Sequence, residues 1–242
     1  MSMSKRTLRS SSAQRLKKPK LELLSAASVA SPSPTKKKSE ATDTEFITPT
    51  VSSIFMLLSE QSIDLDVSRS YWLFKSEPTP RFHNGINISF SFTDLKNSPN
   101  SRASWDGVRN FEARNAMRDM KLGDLGFFYH SNCKVPGIVG IVKIVKEAYA
   151  DFHAWDPTNA YYDAKSDKDN PKWFMVDVEY VCELPRLVTL EEIKQDVKLS
   201  NSPLQKLRLV KRGRLSVSKV EKLEWDHILK MAETATEDST DA

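Results

Sequence analysis

The chain is poor in the groups that build metal centres, disulfide frameworks and phosphate loops. It has two cysteines, Cys133 and Cys182, in 242 residues, and no C-x-x-C pattern. Its four histidines, His83, His130, His153 and His227, stand at no metal-ligand spacing. The expectation is therefore a reduced intracellular protein with no structural metal and no cofactor, each cysteine being a small buried apolar residue. Glycine is scarce, at seven residues, and none clusters into a phosphate-cradling loop. No Ser/His/Asp or Cys/His motif stands in a recognisable catalytic setting. The N-terminus is polar and lacks an apolar leader segment. Ahead of the main domain the longest uncharged apolar run is Ile54-Phe55-Met56-Leu57-Leu58, far short of the roughly 20 residues that span a bilayer. No membrane partner is expected. There is no internal repeat and no strand–helix–strand alternation, which argues against a doubly wound parallel sheet.

What is present is unevenly charged. The formal net charge is +4, from 36 Lys and Arg against 32 Asp and Glu. Residues 1–38 hold ten of the basic residues and one acid, residues 232–242 hold four acids and no base, and segment 67–231 holds 26 basic and 21 acidic residues. A basic arm on a mildly basic domain points to an anionic partner, with a solvated surface as the plain alternative. Residues 1–66 are rich in Ser, Thr, Lys and Pro. Such a segment buries too little apolar surface to offset its ordering entropy and reads as a disordered basic tail. Residues 232–242 read as a disordered acidic tail. Within the first tail, Lys5-Arg6, ten intervening residues and Lys17-Lys18-Pro19-Lys20 fit a bipartite nuclear import signal. Nuclear location and an import receptor as partner are the expectations.

From Tyr71 the pattern becomes that of a folded domain, 67–231. Alternation over Tyr71–Ser76 predicts a strand with Trp72, Phe74 and Ser76 on one face and Leu73 and Lys75 on the other. Phe82 to Phe92 reads as extended with a turn at Asn84-Gly85, Asp94–Lys96 as one helical turn, and Pro99–Ser104 as a loop. Asn110 to Met120 reads as a helix with Asn110 as its N-cap and an apolar stripe of Ala113, Ala116, Met117 and Met120. Leu125–His130, Gly137–Val145 and Trp173–Val181 read as strands. Capping boxes at Thr189–Glu192 and Ser218–Glu221 predict two further helices. The second is expected to turn Val220, Leu223, Ile228 and Leu229 inward. Several strands with few helices predict an α+β domain built on a mixed sheet or partly closed barrel.

Three strings concentrate polar side chains among large aromatics: Trp72-Leu73-Phe74-Lys75-Ser76-Glu77-Pro78, Trp105-Asp106-Gly107-Val108-Arg109-Asn110 with Ala113-Arg114-Asn115, and Phe127-Phe128-Tyr129-His130-Ser131-Asn132. A core takes the aromatics but not so many hydrogen-bonding groups beside them, whereas a pocket for a flat polar ligand uses both. A nucleic-acid base is the commonest ligand of that kind. These strings, with Pro136-Gly137-Ile138 and Asp169-Asn170-Pro171-Lys172-Trp173, closely resemble the EVE domain over roughly Tyr71 to Met231. The resemblance implies a PUA-like mixed β-barrel with surrounding short helices. It also implies binding of modified bases, notably modified cytosine in DNA, and no established catalysis.

The expected base-binding residues are Trp72, Ser76, Trp105, Asn110, Tyr129 and Ser131. Trp105 reads either as a cap over the core or as one wall of a base cage; in the related YTH fold a Trp after a Lys-Ser strand end walls the pocket. Ser76, ahead of Pro78, is expected to keep a free N–H, or to be an ordinary turn serine. Asn110 is a helix cap or a donor–acceptor pair for a base edge. Lys75, Arg109, Arg114, Lys211, Arg212 and Arg214 are the expected phosphate contacts, with Arg109 and Arg114 alternatively fixing the Trp105 loop and the basic knot at 211–214 alternatively a solvated loop. His130 reads as structural. The leading expectation is a non-enzymatic, monomeric reader of a 5-methyl- or 5-hydroxymethylcytosine, with DNA favoured over RNA. Two alternatives stand. One is an amidohydrolase-like enzyme acting on a modified nucleoside through Lys75 and Glu77, which share a strand face. The other is an interaction scaffold with a vestigial pocket.

Overall fold

The structure is a computed structural model that describes residues 69–83 and 85–234. The basic clusters at Lys5, Arg6, Lys17, Lys18 and Lys20, the Ile54–Leu58 run, the turn residue Asn84 and residues from 235 onward lie outside the described residues.

The alternating segment forms β1, Tyr71–Ser76. Its side chains divide as alternation requires: Trp72 and Phe74 join one buried cluster and Leu73 joins another. A short hairpin follows, β2 (Phe82–His83) paired with β3 (Ile86–Asn87). Helix α1, Phe92–Asn97, opens on a Ser91–Asp94 capping box. The stretch expected as a loop from Pro99 to Ser104 is instead a 3-10 turn, Pro99–Ser101, leading into β4, Arg102–Trp105. Pairing with a neighbouring strand overrides its turn-like composition, because β4 lies antiparallel on Val176–Glu179. Helix α2, Phe111–Asp119, starts at Asn110, whose Oδ1 accepts the N–H groups of Glu112 and Ala113 at 2.9 and 3.1 Å.

Strand β5 is Leu125–His130, β6 is Gly137–Ala150 and β7 is Phe174–Thr189. Helix α3, Leu190–Asp196, opens on the Thr189–Glu192 capping box. Helix α4 is Arg208–Lys211, β8 is Val217–Val220 and α5 is Lys222–Glu233. The second predicted capping box is wrong by three residues. Ser218 to Val220 belong to β8, paired antiparallel to β1, and Glu221 with Glu224 makes the box that opens α5. Leu223, expected to pack inward, is 74% exposed, and Trp225 takes its place in the core. Helix α5 continues through buried Ala232. Arg186 holds its end, donating to the carbonyls of Met231 and Thr234 at 2.6 and 2.5 Å.

The six longer strands form one mixed sheet in the order β4-β7-β6-β5-β1-β8. The barrel implied by the family resemblance does not close, since β4 and β8 are its two edges. β1 and β5 pair in parallel from Tyr71–Leu125 to Ser76–His130, and the remaining pairs are antiparallel. Each face buries its own cluster. On one, Leu73, Phe127, Ile138 and Ile141 meet Trp225, Ile228 and Leu229 of α5, with the Phe127 and Trp225 rings stacked 3.9 Å apart. On the other, Phe74, Phe128 and Val142 meet Met117 of α2 and Leu95 of α1. Each such side chain contributes about 1.5–3 kcal/mol by leaving water. Gly140 allows the closest approach on this face: a Cβ there would lie 2.1 Å from the Phe92 ring. Two cores clamped on a sheet fix the carboxyl ends of the parallel pair, and the site is built there.

Candidate nucleic-acid site

A cleft of about 1330 Å³ wraps over the ends of β1 and β5, lined by Ser76 and Ser131 and by residues from both faces of the sheet. The two serines close the strand ends. Ser131 donates its N–H and its hydroxyl to the Ser76 carbonyl at 2.7 and 3.0 Å, and the Ser76 hydroxyl donates to the Phe90 carbonyl at 2.5 Å. The parallel register runs to Ser76 opposite His130, so the ladder reaches the strand's last residue and the expected free end is not formed.

On one side of the cleft stand Trp105, Phe90 and Tyr161. Trp105 is only 7% exposed and belongs to the core, meeting Phe74 and Phe128 edge-on at 5.0 and 5.4 Å, yet it also lines the cleft. Trp105 is thus a core residue that also lines the cleft. Tyr161 is placed by the glycine after Asp106. Gly107 has φ +72°, and a Cβ on it would lie 2.6 Å from the Tyr161 ring. Its N–H donates to Asp151 at 3.0 Å. Arg109 completes the brace: its guanidinium pairs with buried Asp151 at 2.7 Å and donates twice to the Tyr161 carbonyl, at 2.9 and 2.6 Å. Asp106 pairs with His153 behind them. His83 stacks on Tyr161, with centroids 6.4 Å apart and planes 18° from parallel. The Nδ2 group of Asn110, a lining residue, has no hydrogen-bond partner among the described residues, although its Oδ1 is engaged by the helix.

On the other side, Tyr129 is buried as part of the opposite cluster. Its hydroxyl has no hydrogen-bond partner among the described residues, and burial pushes it up to about 12, so it is a neutral donor at physiological pH. Lys75 donates to the Gly213 carbonyl at 3.0 Å and lies 5.8 Å from the centre of the Tyr129 ring; burial lowers its pKa. Lys194 and Arg214 also line this side and have no ion-pair partner among the described residues. In all, the lining carries Lys75, Arg81, Arg109, Lys194 and Arg214 against Glu77, Asp106 and Asp156, an excess of positive charge.

The fold thus redistributes the expected site residues. Ser76, Trp105, Asn110, Tyr129 and Ser131 all line the cleft, but Trp105 and Tyr129 come from opposite faces of the sheet and do not form one cage. Trp72 is not at the cleft. Its indole N–H donates to buried Asp124 at 2.8 Å, because the side chain lies at the other end of β1. Arg114 is also away from it, donating to the Lys172 carbonyl at 2.7 Å and covering Phe111. Arg109 is a brace rather than a free phosphate contact, since its donors are taken internally. Arg212 pairs with Glu112, which also holds Arg208, both at 2.6 Å. Lys211 is exposed and, like Arg214, has no ion-pair partner among the described residues. The Lys75–Glu77 couple does not form: Glu77 pairs with Arg81 and accepts from Asn132 at 3.2 Å. His130 accepts the Phe92 N–H at 3.1 Å, and burial lowers its pKa, as suits a structural neutral imidazole. Cys182 is buried and its thiol is pushed up to about 12, but Cys133 is half exposed, contrary to expectation. Sequence reasoning missed Phe90, His83 and Tyr161. The one available signal for Tyr161 was Gly107, whose need for a left-handed backbone marks a close approach.

The molecule is a small domain built on an open mixed sheet, with an aromatic and cationic cleft over the ends of a parallel strand pair. The EVE domain model matches residues 70–231, and the chain belongs to that family. Among its relatives is mouse (Mus musculus) thymocyte nuclear protein 1, 51% identical over 168 residues that cover 68% of this chain and 74% of the mouse protein. A crystal structure of the human THYN1 protein in complex with 5-methylcytosine-containing DNA superposes with TM-score 0.68 at 47% identity, covering 69% of this chain and 99% of the human one. A protein from Pseudomonas syringae superposes with TM-score 0.58 at 43% identity, covering 67% of this chain and 99% of its own. Among the described residues no helix is long and apolar enough to cross a membrane.

Proposed function

We propose that this protein is a non-enzymatic nuclear reader of a modified cytosine in DNA. The base enters the Trp105 side of the cleft, where Trp105, Phe90 and Tyr161 supply ring surface and the Asn110 Nδ2 faces its polar edge. Lys211 and Arg214 follow the phosphates along the Tyr129 side. The carrying observation is that this cleft lies in a fold 47% identical to a human protein solved with 5-methylcytosine-containing DNA. DNA is preferred to RNA on the same ground. Extruding a base costs a few kcal/mol, and each stacking contact returns about 1–3 kcal/mol. Phosphate contacts add a salt-dependent term, so a single monomeric domain binds with modest affinity. Catalysis is not part of this reading, because Lys75 and Glu77 are each held by other partners.

Binding of matched DNA and RNA strands containing cytosine, 5-methylcytosine or 5-hydroxymethylcytosine at one position tests it. Tighter binding of a modified DNA strand supports the proposal; equal affinity for all strands sinks it. Nuclear residence rests on the basic clusters and on relatives named as nuclear proteins. Replacing Lys17, Lys18 and Lys20 with Ala is expected to lower nuclear enrichment of a fluorescent fusion, and unchanged enrichment discards the import assignment.

A further inference from the structure

A base drawn into the cleft leaves a gap about 3.4 Å high in its strand. Proteins that distort a duplex commonly fill such a gap with an apolar side chain. The β2–β3 hairpin stands at the rim of the cleft and carries one. Register places Phe82 opposite Asn87 and His83 opposite Ile86. His83 and Ile86 line the cleft, His83 against the Tyr161 ring. Alternation turns Phe82 and its partner Asn87 to the other face of the hairpin; Asn87 still borders the cleft, while Phe82 beside it is 69% exposed and stands outside the lining.

The support beneath Phe82 is well tied. The Ile88 N–H donates to the Arg81 carbonyl at 2.8 Å and the Phe90 N–H to the Glu77 carbonyl at 2.9 Å. Asn87 Oδ1 accepts the N–H groups of Arg81 and Ser89 at 3.1 and 3.2 Å. A large ring held in water on a braced hairpin, beside a cleft with excess positive charge, fits a partner that is both anionic and stacked. Duplex DNA is that partner.

We propose that Phe82 is a wedge: it enters the duplex stack at the position the modified base leaves, while that base rests on the Trp105 side of the cleft. This rests on the base-reading function above. It separates two tasks, extraction from a duplex by the hairpin and recognition by the cleft.

The test uses three DNA probes of one sequence: a duplex with 5-methylcytosine paired to guanine, the same duplex with an abasic site opposite the 5-methylcytosine, and the single strand. Wild type, Phe82→Ala, Phe82→Trp and Leu223→Ala are compared, the last removing another exposed side chain on α5 outside the cleft. Phe82→Ala is expected to weaken binding to the paired duplex by about ten-fold or more, since unstacking a step costs a few kcal/mol and 1.4 kcal/mol is ten-fold. Its affinity for the single strand is expected to stay within about two-fold of wild type, because no stack is opened there. Phe82→Trp and Leu223→Ala are expected to keep duplex binding. Equal loss by Phe82→Ala on all three probes, or no loss on the paired duplex, overturns the wedge while leaving the cleft reading intact. A wild-type protein that does not prefer 5-methylcytosine to cytosine in the single strand overturns the base-reading function and the wedge together.

Discussion

Trp105→Ala separates the two roles that the structure assigns to one indole. The side chain is 93% removed from solvent by packing, being 7% exposed, and it makes edge-on contacts with Phe74 and Phe128 at 5.0 and 5.4 Å. Truncating a buried Trp costs about 3–5 kcal/mol of folding stability. For a domain of this size each kcal/mol moves the unfolding midpoint by about 2–4 °C, so the midpoint is expected to fall by roughly 6–20 °C. A native stability of about 5–15 kcal/mol leaves most of the variant folded at low temperature. If the cleft face of the ring also stacks on the modified base, binding weakens by a further 1–3 kcal/mol or so, roughly five- to 140-fold. Preference for 5-methylcytosine should vanish with it. Trp105→Phe keeps a ring at the position and is expected to retain part of both properties. The assay pairs thermal unfolding with fluorescence anisotropy on cytosine and 5-methylcytosine strands, at a temperature where both variants are folded. A folded Trp105→Ala protein that kept wild-type affinity and selectivity would falsify the cleft-wall role and leave Trp105 a core residue alone.

Three further outcomes are expected. Gly107→Ala forces a left-handed backbone on a residue with a Cβ and drives that Cβ into the Tyr161 ring, so it should cost at least about 1–2 kcal/mol and weaken modified-base binding; calorimetry and anisotropy on the same sample check it, and a neutral result removes the Gly107–Tyr161 brace. Lys211→Ala with Arg214→Ala should lower the slope of log K against log salt by roughly 1–2 and leave base selectivity unchanged; a change in selectivity would contradict the division between phosphate and base contacts. The half-buried His130 has a pKa held below its ordinary 6.5 by partial burial, so the unfolded chain binds this proton more readily than the folded one. Stability is therefore level above that value and is lost as pH falls through it. His130→Gln should remove that part of the loss in melts between about pH 7.5 and pH 5, and an unchanged pH profile refutes the assignment.

The sequence by itself determined the local elements whose causes are local. Alternation set the bounds and faces of β1, Asn110 capped α2 as its side chain dictates, and the Thr189–Glu192 box opened α3. It also brought together, in three strings, five of the six expected base-site residues that reach the cleft. Tertiary structure decided what depends on partners far along the chain. The Ser218–Glu221 pattern lost to strand pairing with β1, and the Pro99–Ser104 composition lost to pairing with β7. Trp72 and Ser76 share a strand face, but at opposite ends of a strand they serve a buried carboxylate and a cleft respectively. Tyr161 reaches the site only because Arg109 and Gly107, more than fifty residues earlier in the chain, hold its carbonyl and its ring. Periodicity and capping act over one or two turns of chain and can be read from it. Which side chains meet across a sheet is set by register and by two separate cores, and no local pattern encodes that.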